Sequence, residues 1–193
     1  MTTARAHLAG LMLFVATVAG IALAQCAKSE AVSNESDAAI VDNELLAFLS
    51  LARAHHHEAN LLEDDGDVGG AIGALQKIVD APKPHAGERV PEIEEVLADA
   101  YARMAELELR RKDTAAAKRD VEAGLSHATE PTYFRGHLLE VFGIVEETRT
   151  ADLKDAGNLG ESEIARKHAL ELLHQAVDVQ EGVINHVLDA GTK

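Results

Sequence analysis

The chain has no tryptophan, one cysteine, four prolines and only 3% aromatic residues in 193. With so few rings available, the interior must be built from Leu, Val, Ile and Ala, which suits helices packed closely through small side chains. Runs of β-branched and aromatic residues of the strand type are nearly absent, so a sheet has little to be made from. A lone cysteine excludes a disulfide within the chain. Basic residues are also scarce, with 18 Lys and Arg against 33 Asp and Glu for a formal charge of -15. Only Arg5 is charged before residue 26, so the rest carries 17 basic against 33 acidic residues. That balance argues against nucleic acid, whose phosphates need a basic surface. It argues equally against adsorption of the folded part to anionic lipid. A protein or peptide partner that is basic or neutral is easier to accommodate.

What is present begins with an apolar run. Leu8 to Ala24 is 17 residues without a charge, preceded by a short polar start carrying Arg5. This pattern is that of an export signal. An uncleaved membrane anchor competes with it, because such a run is near the lower limit for spanning. Ala22-Leu23-Ala24 offers a small-x-small site for an ordinary signal peptidase. Leu23-Ala24-Gln25-Cys26 resembles the lipobox of bacterial lipoproteins, with Gln25 where that pattern has Gly, Ala or Ser. That resemblance implies lipidation of Cys26. Each ending places the folded part in the cell envelope, exported to the periplasmic side or anchored to a membrane. The domains are thus a signal peptide or anchor over residues 1–25, a Ser- and Ala-rich flexible tether over 26–41, and a helical domain over 42–190.

Helical periodicity then takes over. Leu45, Phe48, Leu49, Ala52, Ala59 and Leu62 share one face of a first helix that Asp42 or Asn43 caps. Gly66 is placed to stop it in the left-handed conformation, and Asp67 to cap the second helix. Val68, Ala71, Ile72, Leu75, Ile78 and Val79 form the apolar stripe of that helix. Gly69, Gly70 and Gly73 within it are read as a close helix crossing rather than a phosphate loop, since no strand and no suitably spaced Lys accompany them. A proline-bracketed loop, residues 82–91, separates it from a third helix over about Glu92 to Arg111. A fourth runs from Thr114 to near His127, and a fifth from Pro131 to about Glu147. Ala151 to Gly160 reads as a second loop. The sixth helix begins near Glu161 or Ser162 and reaches about Leu188. The expected class is all-α, with six helices in three hairpins.

These hairpins resemble the tetratricopeptide repeat. The residues that carry the resemblance are Ala59, Leu62, Ala71 and Leu75 in the first, and Tyr101, Ala105, Ala117, Val121 and Gly124 in the second. In the third they are Ala169, Leu173 and Ala176, with Phe142-Gly143 in its first helix. Ile78 and Glu108 depart from the pattern, which has a small and a bulky apolar residue there. The key alanines stand 46 and then 52 residues apart, against a family unit of 34, so insertions are expected at the two loops. The resemblance implies an α-α superhelix of three degenerate hairpins after the N-terminal segment. It also implies a concave face made by the first helix of each hairpin. On that face it places Arg53, His56, Asn60 and Asp64 from the first, and Asp99, Glu106 and Arg110 from the second. These seven are the expected partner-binding residues.

No catalytic constellation accompanies them. There is no G-x-S-x-G elbow, and Ser50, Ser126 and Ser162 have no catalytic context. His55-His56-His57 point about 100° apart on a helix and cannot all face one ion. Glu171 and His174 form one E-x-x-H element, where a di-iron bundle needs two. The expected function is a non-enzymatic scaffold or adaptor that binds a partner protein, without cofactor or metal. The alternative is a metal- or small-ligand-binding helical bundle that uses the histidines.

Overall fold

The computed structural model describes residues 42–190. The readings made for residues 1–41, including the export signal, the tether and lipidation of Cys26, lie outside the described residues. Six helices and no strand occur among the described residues: α1 (Asn43–Asp64), α2 (Val68–Asp80), α3 (Pro91–Arg110), α4 (Thr114–His127), α5 (Tyr133–Asp155) and α6 (Leu159–Ala190). None of the described helices is long and apolar enough to cross a membrane.

Three turns of one design join the helices in pairs. Asp65-Gly66-Asp67, Arg111-Lys112-Asp113 and Ala156-Gly157-Asn158 each put a left-handed residue in the middle, with φ of 81°, 62° and 80°. In each, the third residue's amide reaches back to the last turn of the preceding helix: Asp67 to Leu62 at 2.8 Å, Asp113 to Glu108 at 2.9 Å, Asn158 to Leu153 at 2.8 Å. This satisfies carbonyls that the helix end leaves open. Asp67 and Asp113 then cap the next helix, each accepting from an amide three residues on at 2.8 Å. Asp42 caps α1 in the same way, through Glu44 and Leu45.

The helices pair as α1 with α2, α3 with α4 and α5 with α6, and α1, α3 and α5 also touch in succession. The centre is α3, which is apolar on two sides. Ile93, Leu97, Ala100, Met104 and Leu107 join α1 and α2 in one core. Ala98, Ala102 and Ala105, at helical spacing on the other side, join α4, α5 and α6 in a second. Alanine at these crossings lets the backbones approach, and Leu75, Ile78, Leu107 and Leu138 fill the space beside them.

Three expectations need correction. Residues 151–155 and 159–160 are helical, so the expected loop Ala151 to Gly160 shrinks to the turn Ala156-Gly157-Asn158. Nothing before Gly157 breaks the helix, and α5 continues to Asp155. The three turns therefore recur at intervals of 46 and 45 residues. By distance from the turn, Ser162 rather than Ala169 matches Ala71 and Ala117, and Thr150 rather than Gly143 matches Ala59 and Ala105. Ser162 is buried and donates to the Thr150 carbonyl at 2.9 Å. Finally, the α2 glycines make no close crossing. A Cβ at Gly73 would meet nothing within 4 Å, and at Gly69 or Gly70 only the capping Asp67 side chain. Close approach occurs instead at Gly124, against Leu138 and Tyr101, and at Gly143, against Leu173.

Candidate functional site

An open groove of about 450 Å³ runs between α1 and α3 and ends on Phe134 at the start of α5. Successive turns of α1 place Leu49, Ala52, Arg53, His56, His57 and Asn60 along one wall. Glu92, Glu95, Val96 and Asp99 from α3 form the other. Apolar side chains make the floor and polar ones the rim. Four of the seven sequence-expected residues, Arg53, His56, Asn60 and Asp99, meet here.

The remaining three are elsewhere. Asp64 is exposed at the end of α1, outside the groove. Glu106 accepts from Arg103 at 2.9 Å and has His137 of α5 at 3.9 Å. Arg110 donates to Glu63 of α1, as does Arg103, so these cations tie α1 to α3. The contrast with the groove is plain. Arg53, Asn60, Glu92 and Glu95 make no side-chain hydrogen bond or ion pair with any other described residue. Their polar atoms are left to solvent or to a ligand.

The groove is negative at neutral pH. Its three carboxylates face one guanidinium, that of Arg53. His56 does not redress the balance, because burial depresses its pKa below the ordinary imidazole value. The Asp99 carboxylate, 3.5 Å away, opposes that shift, while Arg103 and His57 reinforce it. Neutral His56 can offer either ring nitrogen as donor or acceptor. Such a rim can hydrogen-bond a peptide backbone and attract a basic side chain. Among the described residues, no group of three or more His, Cys, Asp or Glu side chains is placed to hold a metal ion.

Sequence reasoning did not name Phe134, Glu92, Glu95 or Val96. Glu92 and Glu95 were visible only as acids in the first turns of a helix. Phe134 reaches the groove because the chain between α4 and α5 returns across the end of α3, which no local pattern encodes. A second hollow of about 340 Å³ adjoins the groove, shares Glu95 and Phe134 with it, and is rimmed by Arg89, Glu94 and His127. There Glu94 holds both Arg89 at 2.7 Å and His127 at 3.0 Å, so these three are mutually satisfied.

A different constellation centres on an internal carboxylate. Glu146 of α5 has no exposed surface, yet it is charged. Burial alone would raise its pKa; hydrogen bonds from Lys118 of α4 and Arg149, each at 3.0 Å, outweigh that and leave it below the usual carboxylate value. His168 of α6 stands 3.7 Å away and packs edge-on against Phe142. Glu108 is also buried, and one of its carboxylate oxygens has no partner. Comparison with protein-family models, with characterised proteins and with solved structures finds no match.

Proposed function

We propose that this protein is an exported adaptor of the tetratricopeptide-repeat kind, held at a membrane through its N-terminal segment, and that the α1–α3 groove binds a segment of a partner protein. In this reading the three helix pairs are degenerate repeats, and α1, α3 and α5 are the first helices that line the inner face. The observation that carries the proposal is the groove's unengaged polar rim, Arg53, Asn60, Glu92 and Glu95, above an apolar floor, while neighbouring charges on the same helices are spent on one another. The negative rim suits a basic or neutral segment.

The test is to replace His56, Asn60 and Asp99 together by alanine and to measure capture of the native partner in the cell envelope. All three side chains stand at the groove, Asn60 exposed and His56 and Asp99 only partly buried. The expected result is loss of capture with a melting temperature within a few degrees of the parent, since rim substitutions change stability by only about 0.5 kcal/mol each. Unchanged capture would remove the groove from the account.

A further inference from the structure

The flank of α6 that faces away from the rest of the molecule carries a pattern the groove does not explain. Leu170 lies thirteen residues after the turn residue Gly157. Val79 and Leu125 lie at the same distance after Gly66 and Lys112, and both are partly buried against the cores that the following helices help to build. Leu170, at the end of the series, is 45% exposed. The same flank continues as His174, Val177, Glu181, Ile184 and Leu188, at alternating steps of four and three residues. That is the spacing of a coiled-coil seam. Val177, Ile184 and Leu188 are between 54% and 62% exposed.

Helix α6 also overshoots its partner. Gln180 donates to the carbonyl of Tyr133, the first residue of α5, at 3.2 Å. Beyond that point α6 runs on to Ala190, about 15 Å at the helical rise, with no helix of its own pair alongside. So short an apolar length is a poor helix in water by itself.

We propose that α6 docks against α6 of a second copy of this chain, antiparallel, about a two-fold axis between Val177 and Asp178. The pattern is self-complementary in that orientation. His174 faces Glu181 of the second copy, and the pair occurs twice by symmetry. Ile184 falls beside Leu170 of the second copy. Leu188 lies over the aliphatic stem of Lys167 of the second copy, whose ammonium remains in water. Each overshooting end is thus laid on the supported half of the other α6. A parallel pairing would instead oppose Glu181 to Glu181. This surface is separate from the groove and does not depend on the groove's function.

The experiment is sedimentation of the purified full chain in a mild non-ionic detergent up to about 100 µM, with helix content and melting temperature followed in parallel. The parent is expected to dimerise. Val177→Asp with Ile184→Asp should weaken dimerisation about 100-fold, because each chain brings two unpartnered carboxylates to the seam, without loss of helix content. His174→Glu should weaken it about tenfold, and His174→Glu combined with Glu181→Lys should restore it. His174 and Glu181 are two helical turns apart on one chain, so that rescue reads a contact between chains. A monomeric parent, a dimer indifferent to the two aspartates, or failure of the charge exchange would each overturn the proposal. Protection of this flank in a monomer would assign it to residues 1–41 instead.

Discussion

Glu146 offers a quantitative test of how this fold tolerates charge in its interior. The carboxylate has no exposed surface, whereas Lys118 is 34% and Arg149 41% exposed. The two sides of the pair are therefore unequal. If the carboxylate is removed, both cations can turn into water; if the cations are removed, the carboxylate cannot. Replacing Lys118 and Arg149 together by methionine keeps most of their packing and strands a buried charge. That should cost about 3–5 kcal/mol. Replacing Glu146 by leucine, beside Phe142 and Val145, trades an ion cluster for apolar contact and should cost less than about 1.5 kcal/mol. Urea unfolding at pH 7, followed by helix signal and extrapolated linearly, measures both. The pH dependence follows with its sign. The folded pKa of Glu146 lies below the unfolded value. Its ion pairs therefore stabilise fully above about pH 4.5, and that stability is lost as pH falls through the folded pKa. The leucine variant should lose less stability on acidification than the parent. A leucine variant less stable than the double methionine variant would refute the reasoning.

Three further outcomes are expected. Gly73→Ala should stabilise by about 0.5–1 kcal/mol, since a methyl there meets nothing and helix propensity improves, while Gly143→Ala should destabilise by driving into Leu173; thermal melts separate the two. Lys112→Gly should stabilise by up to about 1 kcal/mol, because a lysine holds the left-handed position that glycine fills in the other two turns. Asp120 has a pKa raised to about 6, first by burial and then by the carboxylates of Glu108 and Asp113, against an opposing Arg119. A raised acid stabilises when protonated, so its contribution is full below about pH 4 and is lost as pH rises through about 6. Asp120→Asn should thus stabilise at pH 7, by on the order of 1 kcal/mol after solvent screening, and should change stability little at pH 4.

Much of the scaffold was legible because its signals are local. Asp42, Gly66, Asp67 and the Lys112-Asp113 pair announce helix ends by their own backbone chemistry, and the stripes of the first two helices bury as their spacing implies. The middle of the sequence was harder. Ala151-Asp152-Leu153-Lys154-Asp155 contains no helix breaker, but Gly157 and Gly160 beside it invited a loop over the whole stretch, and the alignment of the third helix pair was set seven residues out of step with its turn. The glycines of α2 looked like a crossing because composition cannot say which neighbour a face meets. In the groove, Arg53, His56, Asn60 and Asp99 were expected from the positions that the repeat resemblance assigns to an inner face, and the structure brings these four together. Asp64 shared that face but lies past the end of the opposite wall. Glu106 and Arg110 shared it too, but Arg103 and Glu63 already occupy them. Glu146 resembled every other glutamate in the chain; its burial depends on Arg149 and on Lys118, which lies 28 residues earlier on another helix.

The most direct test of the central claim is site-specific photo-cross-linking in the native envelope. A cross-linker at Asn60 stands in the groove, and one at exposed Glu122 on α4 stands outside it. The account predicts a single protein adduct from Asn60 and none from Glu122. No adduct from Asn60, or the same adducts from both positions, would contradict it.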